Sequence, residues 1–149
     1  MNARRLALVS FVATAAVSFA GCGLMERSPL GAAVGMGSSM SVPLSGGTEV
    51  PPNASSGSGT AKLELNGSNL KWTVSYQGTT GPVTAGHIHG PAPAGANAGV
   101  VIPFTSTASP IIGNATLTAA QLADLKAGLY YVNLHTAANP GGELRGQIK

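Results

Sequence analysis

One cysteine, one tryptophan, one aspartate and a charged fraction of 9% are the scarcities of this 149-residue chain. With Cys22 alone, no disulfide forms within the chain, and neither a cysteine-rich zinc site nor an iron-sulfur cluster has its ligands. The five Asp and Glu stand singly, so no acidic cluster of the calcium-binding kind exists. So few charges, punctuated by 21 Gly and ten Pro, exclude a coiled coil and describe one turn-rich domain. There is no G-x-S-x-G elbow, Walker A loop or glycine-rich dinucleotide turn, which leaves hydrolase and nucleotide readings unsupported. Asp124, beside Lys126 on a predicted helix, is a solvated surface charge rather than a triad member.

The net charge of +3 is concentrated at the start of the chain. Without Arg4 and Arg5, six Lys and Arg face five Asp and Glu, so no basic surface for nucleic acid is expected. Those two arginines precede an apolar run over residues 6–20, the order of an export signal. At about fifteen residues the run is shorter than the roughly 20 that span a bilayer. Phe19-Ala20-Gly21-Cys22 resembles the lipobox of bacterial lipoproteins. That resemblance implies a signal peptide over 1–21, lipidation of Cys22 and a membrane-anchored place in the cell envelope. Gly23 resembles the outer-membrane sorting pattern of Gram-negative cells. Residues 22–40, rich in Gly and Ser, read as a flexible tether.

From residue 41 the pattern changes to period two. Ala61, Leu63 and Leu65 alternate with polar neighbours, Asn66-Gly67-Ser68-Asn69 makes a tight turn, and Leu70, Trp72, Val74 and Tyr76 resume the apolar face. Further strands are expected near 42–44, 85–89, 99–104, 129–135 and 143–148. Thr118 and Gln121 form a capping box, Leu122 and Leu125 share a face and Gly128 stops a single short helix. The fold class expected is all-β, an antiparallel immunoglobulin-like sandwich or Greek-key barrel with one helix.

Four ordered motifs lie in residues 41–149: Gly46-Gly47-Thr48-Glu49-Val50-Pro51-Pro52, Gly81-Pro82-Val83-Thr84-Ala85-Gly86-His87-Ile88-His89-Gly90-Pro91-Ala92, Leu117-Thr118-Ala119-Ala120-Gln121-Leu122, and Tyr131-Val132-Asn133-Leu134-His135-Thr136 with Pro140-Gly141-Gly142-Glu143-Leu144-Arg145-Gly146-Gln147-Ile148. Together they resemble the CHRD (chordin-type) domain. The resemblance implies a β-sandwich and a setting among exported microbial proteins or animal chordin, which binds growth factors. It leaves the biochemical activity open.

All three histidines fall inside these motifs. His87 and His89, at i and i+2, share one strand face, a spacing that a single ion bridges. Ile88 separates them as the core residue, and His135 falls with Tyr131 and Asn133 opposite Tyr130, Val132 and Leu134. All three imidazoles are therefore expected on the wetter face of the sheet. Their donor set suits copper first and zinc second, and three histidines leave an open position. The H-x-H pair, with His135 ahead of a Gly-rich loop and a G-x-I strand, also resembles copper/zinc superoxide dismutase at the site motifs alone. The bridging histidine, zinc ligands and disulfide of that enzyme have no counterparts here. Glu49, Asn133, Glu143 and Arg145 are candidate outer neighbours of the ion, although Glu143 and Arg145 alternate with Leu144 and Gly146 as on an exposed strand.

Two functions of different class follow, with superoxide dismutase activity, implied only by the site-level resemblance, as a third. One is an envelope metal-binding lipoprotein using His87, His89 and His135. The other is a non-catalytic surface module for a protein or glycan.

Overall fold

Alternation of apolar and polar side chains buries one face of each strand, and the strands assemble accordingly in the computed structural model, which describes residues 37–149. The expected export signal, the expected lipidation site Cys22 and most of the expected tether lie outside the described residues. Strand β1 (Ser38–Ser45) pairs with β2 (Ser58–Asn66), and β2 with β3 (Asn69–Gln77), all antiparallel. β1 thus begins three residues before the expected domain boundary. Ser38, Ser39 and Met40 pair with Leu65, Glu64 and Leu63, and Met40 packs on the core. The β2–β3 hairpin closes through Gly67 at φ +61°, a left-handed turn that Asn-Gly sequences favour.

β4 (Val83–His89) and β5 (Val100–Pro103) pair with each other, and β6 (Ile111–Thr116) pairs with β3. The β6 segment was not expected from its pattern, because only Ile111 and Ile112 are large and apolar. Packing explains it. Gly113 lies against the Trp72 ring, where a Cβ would come within 2.4 Å of the indole. Helix α1 (Ala119–Lys126) has the expected capping box, and Leu125 and Leu122 pin it to the core. β7 (Tyr131–Thr136) and β8 (Leu144–Gln147) complete the chain.

The strand order is β5-β4-β7-β8-β1-β2-β3-β6, one antiparallel sheet curled into a nearly closed barrel-like sandwich. Its two four-stranded halves join at one paired position, Ser45 opposite Arg145. Across the opening Phe104, just past β5, stacks on Trp72 of β3 with centroids 5.2 Å apart. The enclosed core includes Leu44, Leu63, Leu70, Ile88, Val132, Leu134, Leu144 and Ile148. Among the described residues no helix is long and apolar enough to cross a membrane.

Candidate metal centre

The period-two rule that buries Ile88, Val132, Leu134 and Leu144 puts the intervening residues of β4, β7 and β8 on the outer face. Strand register then makes rows: His87, Asn133 and Arg145 in one, His89, Tyr131 and Gln147 in the next, with Ala85 opposite His135. His135 is therefore diagonal to His87 across the β4–β7 ladder. The three rings converge, with centroids 5.2 Å apart for His87 and His89, 5.0 Å for His87 and His135, and 5.8 Å for His89 and His135. One ring nitrogen from each lies within 4.8 Å of the others, and His87 Nδ1 is 3.1 Å from His135 Nε2. Nitrogens sharing a tetrahedral ion at about 2.0–2.1 Å sit roughly 3.4 Å apart, a spacing near that of this cluster, which could hold an ion.

Backbone carbonyls fix two of the rings. A carbonyl only accepts, so His89 Nδ1–H donates to Ala98 O at 3.1 Å and His135 Nδ1–H donates to Pro140 O at 3.0 Å. Each Nε2 keeps its lone pair; that of His135 accepts from His87 Nδ1–H at 3.1 Å, a bond that an ion would replace. The His89 Nε2 atom is buried without a partner, an arrangement costly for a polar atom and suited to a ligand. Burial lowers the basicity of all three rings; His135 and His89 lower His87 further, and the Ala98 and Pro140 carbonyls only partly offset the effect in His89 and His135. Neutral imidazole is the metal-binding form.

The expectation of a wetter outer face is corrected by the structure. Tyr131 and Asn133 are buried, His89 is only 8% exposed, and His87 and His135 are half-buried. Glu143 and Arg145 do not form an exposed strand face either: they are 0% and 2% exposed. Both differences have one cause. The segment around residues 46–55 and the loop 90–99 fold over the outside of β4, β7 and β8 and make a second, polar interior there.

Within that layer the Arg145 guanidinium lies 3.5 Å over the Tyr131 ring and donates to Asn97 Oδ1 (2.8 Å) and Ala96 O (2.6 Å). Tyr131 in turn stacks on His89. Burial pushes the Glu49 carboxyl up to about 7, against the opposing pull of Arg145 and an Asn133 hydrogen bond. Glu143 is the reverse case. Burial raises its carboxyl, but donors from Ser55, Thr136 and Thr80 outweigh that and hold it at about 2. Its carboxylate also accepts from Asn139, so it ties down the loop that carries Pro140.

Sequence reasoning did not find Tyr131, Asn97 or the Ala98 and Pro140 carbonyls as parts of the site. A backbone carbonyl has no residue signature, and Tyr131 reads as an ordinary strand aromatic.

Fold and site together define an antiparallel β-sandwich domain with an imidazole cluster on its outer layer. The CHRD domain profile matches residues 40–148, and the chain belongs to that family. No significant match was found among curated proteins or among solved structures.

Proposed function

We propose that this CHRD domain binds one transition-metal ion, copper first and zinc second, through a ring nitrogen each of His87, His89 and His135. The observation that carries the reading is the buried, unpartnered Nε2 of His89, grouped with two further imidazoles. A neutral three-histidine set suits copper and zinc and leaves a coordination position open, which fits storage, delivery or tolerance of the ion. The leader pattern and the lone Cys22 at its end support a lipid-anchored chain in the cell envelope.

Calorimetric titration with Cu(II), and with Cu(I) under reductant, tests the binding. Tight one-to-one binding is expected, lost when His87, His89 and His135 are all replaced by Ala. Equal weak binding by both proteins would overturn the reading and turn attention to protein or glycan partners. Incorporation of labelled palmitate, abolished by Cys22→Ser, tests the anchor.

A further inference from the structure

Loop 90–99, Gly-Pro-Ala-Pro-Ala-Gly-Ala-Asn-Ala-Gly, supplies the carbonyl that fixes the His89 tautomer. Backbone bonds from Gly90 N–H to Gly99 O, Ala92 N–H to Leu129 O and Ala96 N–H to Pro93 O, with Gln147 on Ala92 O, hold its base and its turn, but none of them reaches Ala98. The loop's one well-buried apolar side chain is Ala92. Gly95 adopts φ +85°, which frees the backbone further. Ordering such a segment costs conformational entropy, so its shape must come from outside.

The outer row of the sheet supplies it. Arg145 bonds the loop at Ala96 O and Asn97 Oδ1, the two residues immediately before Ala98. Asn97 Nδ2 donates onward to Val50 O at 2.8 Å. The Tyr131 hydroxyl, under the same guanidinium, accepts from Ala98 N–H (3.0 Å) and lies 3.3 Å from Ala98 O as a donor. Ala98 O also accepts from His89 Nδ1. Arg145 is thus a charge removed from water, held by its stack on Tyr131 and two bonds that both end on one loop. A buried guanidinium is a costly way to fill space, and its fork geometry orients what it touches.

We propose that Arg145 is a positioning residue for the metal centre, acting through loop 90–99 to hold the Ala98 carbonyl where it fixes His89 with Nε2 free. The proposal rests on the metal-binding reading above. The partner one step removed from the ion is the Ala98 carbonyl, and such partners are worth about 10- to 100-fold in metal affinity, which is the ceiling for a residue that acts through it.

Two variants test it in the full chain. Arg145→Lys keeps the charge and loses the fork and the flat stack. Asn97→Ala removes one anchor at a residue that is itself exposed and leaves Arg145 its bond to Ala96 O and its stack on Tyr131. Nitrogen-15 imidazole spectra of the metal-free protein report the His89 tautomer, and competition with a chromophoric chelator reports Cu(I) affinity. The wild type is expected to show one Nδ1–H tautomer. Both variants should show a tautomer mixture and weakened Cu(I) binding, the loss reaching at most the factor of about 10 to 100 that losing the carbonyl partner would bring, with circular dichroism unchanged. In a His89→Ala background, Arg145→Lys should add no further loss. A pure Nδ1–H tautomer in both variants, or an equal loss in the His89→Ala background, would overturn the proposal while leaving the metal site standing. A wild type that takes up no copper would overturn the metal reading itself, and with it any role of Arg145 at a metal centre.

Discussion

Tyr131 lies flat against His89, their ring centroids 5.0 Å apart and their planes 6° from parallel. With its hydroxyl bonded to Ala98, Tyr131 acts both as a packing surface for an imidazole and as a peg for the loop above it. Tyr131→Phe keeps the first role and removes the second. It is expected to lower stability by about 1 kcal/mol in denaturant unfolding, since Ala98 N–H loses its only hydroxyl partner there.

His135 sits at the end of β7, half-buried, with Nδ1 held by Pro140. Its ring contributes little to the core, so His135→Ala should leave the thermal midpoint within a few degrees of wild type. Metal affinity should fall by more than the 10- to 100-fold that loss of an outer partner brings. Parallel thermal melts and copper titrations check both halves of the expectation.

Glu49 links stability to pH in an unusual direction. Its folded carboxyl titrates near 7 against an ordinary value of 4.5, so the folded state holds the extra proton between those values. Its contribution is therefore greatest below pH 4.5 and is lost as pH rises through 7. In Glu49→Gln that dependence disappears. Unfolding free energies at pH 5 and pH 8 should show the variant gaining on wild type at the higher pH, by an amount on the order of a few kcal/mol.

Glu143 works with the opposite sign. Its folded carboxyl titrates near 2, so its stabilisation is present above 4.5 and is lost as pH falls towards 2. Glu143→Ala strands the hydroxyls of Ser55, Thr80 and Thr136 in a closed setting. A loss of about 3 kcal/mol or more is expected at pH 7, read by urea unfolding, and it should shrink in acid.

Gly113→Ala tests the β6 placement. The added methyl would press into Trp72, and overpacking of this kind costs about 1–3 kcal/mol. Quenched or shifted Trp72 fluorescence should accompany the lower thermal midpoint.

Much of this molecule was legible as sequence because the relevant signals are local. The Asn66-Gly67 turn between two alternating runs defined the β2–β3 hairpin, and Thr118 with Gln121 defined the start of α1. The imidazole facing followed from Ile88, Val132 and Leu134. What was not legible depends on distant chain segments. Nothing near Ile111 announces a strand, because the need for Gly113 comes from Trp72. Arg145 and Glu143 read as surface residues because the segments that cover them are elsewhere in the sequence, and a Gly-Pro-Ala loop carries no mark of what it will cover. Convergence of His135 on the H-x-H pair required the β4–β7 register, which no local pattern encodes.

That register also decides when the ligand set comes into being. His87 and His135 are 48 positions apart and meet only through the β4–β7 ladder. An unfolded chain offers an ion the two histidines of H-x-H, and a third only at the entropic cost of closing a loop of 48 positions. The complete set is a property of the finished barrel, so an ion bound as we propose would discriminate between folded and unfolded molecules and add its binding energy to the folding equilibrium. Under the same proposal, a chain exported before folding would acquire an ion only on the far side of the membrane.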